Sequence, residues 1–278
     1  MHNSVEPQSE GGGSAGFPQK SPPLILDAEG DGSDTEIALA VTARRRAIGR
    51  RVAAAFSVAR PQAPAIGANT LTGAERAAGW RLLFDGKTTA GWHTFGKDRV
   101  VGWEIAGGEL VALGQGGDHA NDVLTDEEFE NFELMVDWKL SPKANSGIFY
   151  NVVEKGYDMA YATGPEYQLI DDDGWPDKLE AWQQTAANYA MHTPTKKATK
   201  PIGQWNQTRI VVNRGHVQHW LNGAKVVEYD LWTPEWERLV KAGKWKDYPG
   251  YGRAKRGRIG LQDHGNKISF RGIKIRPL

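Results

Sequence analysis

Four polar side chains occur as two pairs, each spaced so that both members share one face of a strand. Glu166 and Gln168 alternate with apolar residues in one extended stretch, and Gln262 and His264 lie in another near the C-terminus. Because side chains alternate across a strand, each pair points away from the apolar face. A carboxylate and an imidazole transfer protons, and glutamine amides hydrogen-bond to polar ligands. We therefore predict that these four side chains form a site on a sheet face.

Two further charged residues are candidates for the same site. Asp171 ends the stretch that carries Glu166, where we expect it to orient a neighbouring group or to bind a cation. Arg209 alternates with Ile210, which predicts that its side chain faces the same cleft. His219, in contrast, has the same phase as apolar neighbours, and we interpret it as a partly buried core histidine.

The elements that must position these residues are short strands separated by turns. The segment 132–140 alternates strictly between apolar and polar residues, and Asn222-Gly223 is a strong hairpin signal. The apolar phase shifts by one residue after Gly272, which predicts a β-bulge. A single inserted helix is predicted from Pro234 to Lys244, with Thr233 as its N-cap. Turn signals at intervals of about 8 to 12 residues are typical of an all-β sandwich.

The composition excludes several classes of protein. The 278 residues carry no net charge, so no electrostatic argument favours nucleic acid or an anionic membrane as a partner. The chain has no cysteine, which excludes disulfides, a zinc–thiolate site, a cysteine nucleophile and a lipid anchor on cysteine. No apolar run approaches the ~20 residues that span a bilayer. We expect neither a nucleic-acid partner nor membrane insertion, and the sequence specifies no oligomeric state.

The first quarter of the chain differs in composition from the rest. All 11 tryptophans and all 8 tyrosines lie at or after position 80, so we predict a folded domain over residues 79–278 and a disordered leader over residues 1–72. Within the leader, paired arginines precede a short apolar run and then small residues, in the order of a secretory signal. This order predicts export to the periplasm or the medium, with translation starting near Val41. The alternative is a basic amphipathic helix or an unstructured leader.

A series of short motifs runs through the predicted domain. They are Leu83-Phe-Asp-Gly-Lys-Thr with Gly91-Trp92, Phe132-Glu-Leu, Asn145-Ser-Gly-Ile-Phe, Glu166-Tyr-Gln-Leu-Ile-Asp, Gly203-Gln-Trp-Asn, His219-Trp-Leu-Asn-Gly and Gly260-Leu-Gln-Asp-His-Gly. In this order they resemble the 3-keto-disaccharide hydrolase domain family. The resemblance implies a jelly-roll sandwich of the concanavalin A-like type, a carbohydrate site on its concave face and an exported bacterial protein.

The resemblance also implies a reaction on glycosides whose sugar is oxidised at C3. The ketone acidifies the C2 proton, so a base removes it, the C1 substituent leaves by elimination, and water adds afterwards. In this scheme Glu166 is the base. His264 is the acid for the leaving group, or else a ligand of a divalent metal ion that polarises the ketone; no other cofactor is implied. The expected substrate-binding residues are Gln168, Gln262, Arg209 and Asp171.

A non-catalytic carbohydrate-binding protein on the same fold is the main alternative. A lectin needs hydrogen bonds and stacking rings, whereas a glutamate and a histidine on one face supply a base and an acid. This difference favours the enzyme. An accessory extracellular protein with a degenerate site is a third interpretation, because a fold alone does not establish catalysis.

Overall fold

The computed structural model describes residues 67–115, 119 and 121–278, all within the unit Ala59–Leu278. The leader prediction falls outside these residues, except for the segment 67–72. No helix in the described part of the chain has the length and apolar character needed to cross a membrane.

The larger sheet of the described residues contains eight strands. They are β1 Arg81–Leu82, β3 Trp103–Ala106, β4 Glu109–Ala112, β6 Phe132–Leu140, β9 Asn206–Asn213, β10 His216–Leu221, β11 Ala224–Asp230 and β13 Ile268–Pro277. Their order is β11-β10-β9-β6-β13-β4-β3, with β1 also paired to β13, and the pairs are antiparallel.

The smaller sheet has five strands among these residues. They are β2 Trp92–Thr94, β5 Val123–Phe129, β7 Asn145–Val152, β8 Glu166–Ile170 and β12 Gly257–Leu261, in the order β2-β5-β12-β7-β8. The described helices are α1 Gly73–Ala77 and α2 Pro234–Ala242, with 3-10 turns at Ala160–Ala162, Ala181–Gln183 and Lys244–Asp247.

The main hydrophobic core combines residues of the two sheets. Alternate residues of β6, such as Leu134 and Val136, join residues of the smaller sheet, such as Ile148 and Leu169, in one buried cluster. Burying such apolar surface stabilises the fold by roughly 25 cal/mol per Å². The all-β sandwich predicted from the strand pattern is therefore confirmed.

Several local predictions are also confirmed. β10 and β11 form the hairpin around Asn222-Gly223, and the register of β13 shifts between Arg271 and Lys274 at the predicted bulge. Gly272 has φ of 58°, a left-handed conformation that glycine adopts without strain. The helix α2 begins as predicted, because the Thr233 hydroxyl accepts a hydrogen bond from the Trp236 amide. It ends earlier than predicted, at Ala242.

Five aromatic rings stack in a column. His192, Tyr229, Trp236, Tyr251 and Trp245 stack in this order, with centroid separations of 4.4, 5.6, 5.7 and 4.0 Å. Tyr229 belongs to β11, and Trp236 to α2. We call this set the aromatic column. It connects the larger sheet to the 3-10 turn that begins at Lys244.

His219 is fully buried, as the apolar phase of its strand indicated. Its Nε2 lies 2.9 Å from the Tyr150 hydroxyl and its Nδ1 lies 2.9 Å from the Ala186 carbonyl oxygen. Burial lowers the pKa of His219 to about 3, so the imidazole is neutral at physiological pH. It is a hydrogen-bonded core residue.

The segment before α1 is anchored to the larger sheet by Asn69. Its Nδ2 donates to the Gly108 carbonyl at 2.7 Å, and its Oδ1 accepts from the Gly272 amide at 2.8 Å. Asn69, which lies within the predicted leader of residues 1–72, thus joins a hairpin tip to the bulge of β13.

We expect Asn69→Ala to lower the free energy of unfolding by about 2 kcal/mol, because two backbone groups lose their partner. For a domain of this size that corresponds to a fall in Tm of about 4 to 8 °C. Thr70→Ala is the control, because the Thr70 hydroxyl donates only to the nearby Gly67 carbonyl. Equal Tm values for the two variants, measured by calorimetry, would contradict the anchoring role.

Candidate active site

The candidate site lies on the face of the smaller sheet that is turned away from the main core. On β8, Tyr167 and Leu169 enter the core, so Glu166 and Gln168 point to the opposite face. There they line a pocket of about 50 Å³. The described lining residues are His119, Asn145, Tyr161, Glu166, Gln168, Tyr189, Lys244, Gln262 and His264. The structure thus brings together the four residues of the two predicted pairs.

Glu166 occupies space that a glycine leaves open. On the neighbouring strand β7, a Cβ added to Gly147 would lie 2.3 Å from Glu166 Oε1. The Glu166 side chain is 5% exposed, so the carboxylate rests over the backbone of Gly147 at the floor of the pocket. Any side chain at position 147 would displace it. The glycine of the Asn-Ser-Gly motif is therefore a steric requirement of the carboxylate.

Two buried amide groups in the pocket have an oxygen without a hydrogen-bond partner among the described residues. They are Asn145 Oδ1 and Gln262 Oε1, on residues that are 9% and 2% exposed. Gln168, in contrast, accepts a hydrogen bond from the Leu169 amide through Oε1 at 3.0 Å. A buried polar atom without a partner costs about 1 to 3 kcal/mol, so the two oxygens are prepared for donors that a ligand or water supplies.

His119 enters the pocket from the loop before β5 and is held there by Asp122. The Asp122 carboxylate is fully buried, and its Oδ2 lies 3.3 Å from His119 Nδ1. Its Oδ1 accepts a hydrogen bond from the Asp263 amide at 2.8 Å. Burial raises the pKa of Asp122, and the hydrogen bond to His119 opposes this rise. An aspartate at Nδ1 orients the ring so that Nε2 is the atom for chemistry.

The loop that carries His119 is joined to the segment after β12 by reciprocal contacts. The His119 amide donates to the Asp263 carbonyl at 3.0 Å, and Gln262 Nε2 lies 3.4 Å from His119 Nδ1. His119 itself has φ of 60°, an uncommon conformation for a residue with a side chain. The contacts with Asp263 stabilise it, so the two segments position their site residues together.

His264 lies beyond the end of its strand. β12 ends at Leu261, and His264 follows in a loop, where its ring centroid is 5.5 Å from that of His119. Within the described ranges, no three His, Asp or Glu side chains are grouped so that they could hold one metal ion. A divalent ion at His264 therefore stays a prediction.

An aromatic wall with one lysine closes another side of the pocket. Lys244 Nζ lies 4.5 Å from the ring centroid of Tyr189, 4.8 Å from that of Trp245 and 5.7 Å from that of Tyr161. The Trp245 indole nitrogen donates to the Tyr189 carbonyl at 3.2 Å. The wall thus presents a positive charge and ring surfaces beside Glu166.

The prediction that Arg209 faces this cleft is wrong. Arg209 lies on β9 in the larger sheet, on the face away from the core, where it forms an ion pair with Glu133. Its guanidinium also lies 4.8 Å from the ring centroid of Trp220. Alternation correctly places Arg209 opposite Ile210 but does not tell which sheet contains the strand.

Asp171, which we expected to bind substrate, lies outside the site pocket. Its carboxylate accepts hydrogen bonds from the backbone amides of Lys143, at 2.8 Å, and Gly174, at 3.0 Å. Asp171 lines a separate cavity of about 370 Å³ near the ends of β6 and β8, which is larger than the site pocket. Its contacts are those of a loop-stabilising residue, and it does not line the site pocket.

Sequence patterns did not single out His119, Tyr161, Tyr189 or Lys244. These residues lie in loops and 3-10 turns, where strand alternation gives no information about direction. The spacing of His119 and Asp122, three residues apart, is the one local signal that could have found the pair.

The chain belongs to the family of 3-keto-alpha-glucoside-1,2-lyase-like domains, and the match spans residues 79–276. A Bacteroides thetaiotaomicron protein named 3-keto-disaccharide hydrolase is 38% identical over 230 residues, which cover 73% of this chain and 79% of that protein. The chain is therefore a glycoside-cleaving hydrolase.

Two crystal structures from Parabacteroides distasonis, both provisionally named glycosyl hydrolases, share the fold. The first is 39% identical with a TM-score of 0.72, and the alignment covers 76% of this chain and 99% of that one. The second is 28% identical with a TM-score of 0.55, and covers 72% of this chain and 99% of that one. Both therefore match the sandwich over almost their whole length.

Proposed function

We propose that the chain cleaves the glycosidic bond of 3-keto-glycosides by elimination followed by hydration. The relative named 3-keto-disaccharide hydrolase supports this substrate class. The observation that carries the proposal is the pocket's combination of a buried carboxylate with two buried amide oxygens that have no described partner. The hydroxyl groups of a sugar would donate hydrogen bonds to these two oxygens. The carboxylate would then lie against a C–H bond of the same sugar.

Glu166 removes the C2 proton in this scheme. The electron pair of the C2–H bond forms the C1–C2 double bond, and the bond from C1 to the leaving oxygen breaks. The leaving oxygen takes a proton from an imidazolium. Water then adds across the enone, with its hydroxyl to C1 and a proton to C2, which restores the 3-keto sugar.

His119 is the better placed of the two histidines to be the acid. The Asp122 carboxylate at its Nδ1 stabilises the imidazolium, as an aspartate does in hydrolytic triads. In this scheme His264 and Lys244, which both line the pocket, stabilise the C3 oxygen as it becomes an enolate. The sequence predicts His264 as the acid or as a metal ligand. In this scheme the acid is His119 instead.

A comparison of two nitrophenyl glycosides tests the proposal. We expect the 3-keto glucoside to release nitrophenolate and its unoxidised parent to release none above the blank, because only the ketone acidifies the C2 proton. The measurement is continuous absorbance in the presence and absence of the protein. Release from the parent at an equal rate would contradict the elimination scheme.

A lectin would give a different result. It would bind the sugar, detected by calorimetry, and would release nitrophenolate from neither compound. The buried Glu166 favours the enzyme over this alternative, because recognition of a neutral sugar does not need a desolvated carboxylate over a glycine.

A further inference from the structure

A second cavity adjoins the site pocket on the far side of Tyr161. Its volume is about 250 Å³, and its lining residues are Gly156, Tyr157, Asp158, Met159, Tyr161, Ala162 and Tyr248. We call it the tyrosine cleft. Met159 is 36% exposed, which makes it one of the few large apolar side chains open to solvent in the described part of the chain.

Tyr161 is the wall between the two cavities. On one side its ring meets the His119 ring edge-to-face, with centroids 4.7 Å apart. On the other side it meets the Tyr248 ring, with centroids 5.6 Å apart and an interplanar angle of 73°. A molecule that reaches from His119 across Tyr161 therefore enters the tyrosine cleft directly.

The site pocket is too small to enclose a whole substrate. Its volume is about 50 Å³. Pockets for small ligands usually have volumes of about 300 to 1,000 Å³. The pocket and the tyrosine cleft together reach the lower end of this range.

We propose that the tyrosine cleft binds the leaving sugar of a 3-keto-disaccharide. This inference rests on the proposed function, because it assigns the reacting 3-keto ring to the site pocket. The apolar C–H face of the second ring would pack on the tyrosine rings, which offer large rigid surfaces. Its hydroxyl groups would meet the tyrosine hydroxyls and the exposed Asp158 carboxylate at the rim. The mixed lining fits a sugar better than a purely apolar leaving group.

The cleft is formed by side chains that other contacts hold in place. Tyr157 packs against the backbone of Gly250, where an added Cβ would lie 2.3 Å from the Tyr157 hydroxyl oxygen. Tyr248 meets Trp245 edge-to-face at 5.6 Å, and its amide donates to the Trp245 carbonyl at 3.0 Å. Trp245 belongs to the aromatic column. Rings held in this way lose little conformational entropy when a sugar binds.

The test compares a 3-keto-disaccharide with a methyl 3-keto-glucoside, which has the same reacting ring and no second sugar. We expect Tyr248→Ala to lower kcat/KM for the disaccharide about tenfold and to leave the value for the methyl glycoside within about twofold. Tyr248→Phe keeps the ring and should retain most of the disaccharide activity. Tyr157→Ala should repeat the selective loss. Trp80→Ala is the control: Trp80 precedes β1, its ring lies beside Lys274 and Arg276 of β13, and we expect kcat/KM to be unchanged for both substrates.

The outcomes separate this inference from the proposed function. If the unmodified protein cleaves the methyl 3-keto-glucoside but Tyr248→Ala and Tyr157→Ala affect both substrates equally, the subsite is wrong and the function stands. If the unmodified protein cleaves neither substrate, the proposed function fails and the subsite fails with it. If the two tyrosine variants lose kcat/KM for the 3-keto nitrophenyl glucoside but not for the disaccharide, the cleft binds an aromatic leaving group and not a sugar.

Discussion

Glu166→Gln should lower turnover of a 3-keto-glycoside at least 10²-fold, because general-base catalysis typically contributes 10² to 10⁴ in rate. The amide keeps the size of the side chain and fits the same space over Gly147. We therefore expect KM to change little and Tm to stay within about 2 °C. Initial rates on the 3-keto nitrophenyl glucoside and a melting curve measure both quantities.

Glu133→Gln is the matched control for this prediction. Glu133 is also 5% exposed, but it lies on the outer face of the larger sheet and forms ion pairs with Arg209 and Arg276. We expect the Glu133→Gln variant to have a lower Tm and an unchanged turnover. Glu166→Gln should show the opposite pattern. Near-normal turnover of the Glu166 variant would place the base on another residue.

Asp122→Asn should lower kcat by about 10² to 10³ and leave KM within about threefold. Replacing the aspartate of a hydrolytic triad by asparagine can lower kcat ~10⁴-fold, because the histidine takes the wrong tautomer. Mutating the hydrogen-bond partner of a metal-binding histidine typically lowers activity or metal affinity about 10- to 100-fold. Asp122 contacts no substrate in our scheme and acts through His119, so we regard it as a positioning residue. Nitrogen NMR of His119 should show the change of tautomer in the variant.

The pair formed by His93 and Asp126 provides the control. Asp126 Oδ1 lies 2.6 Å from His93 Nδ1, but neither residue lines the site pocket or the tyrosine cleft. Asp126→Asn should leave kcat unchanged. If Asp122→Asn alters Tm but neither kcat nor the His119 tautomer, its role is structural and His119 is not the acid.

The strands could be predicted from the sequence because alternation is a local property. The pattern of residues 132–140 reflects one buried face, and the phase shift at Gly272 reflects one extra residue in β13. Pairing is not local. β12 and β13 follow each other in the chain but belong to different sheets, so the short loop between them crosses from one layer to the other. Because alternation does not report which sheet a strand joins, Arg209 was assigned to the wrong sheet.

Part of the site was predictable from strand alternation. Glu166 and Gln168 followed from the alternation of β8, and Gln262 and His264 followed from the phase of β12, although both lie beyond its end at Leu261. Asn145, at the start of β7, was not singled out. His119 is positioned by the Asp122–Asp263 contact, which joins residues 141 positions apart, and no nearby pattern reports such a contact. The export of the chain, the leader before residue 67 and a metal at His264 stay predictions.

The aromatic column also governs how the wall of the site can open. Neighbouring rings lie within 10° of parallel at each step, and the column extends from Trp245, beside Lys244, through Tyr229 in an edge strand of the larger sheet to His192. Local unfolding occurs in cooperative units that share contacts. The amide hydrogens of segment 244–248 should therefore exchange as slowly as those of the sandwich, and not as fast as those of a surface loop. The wall is then already formed when a substrate binds.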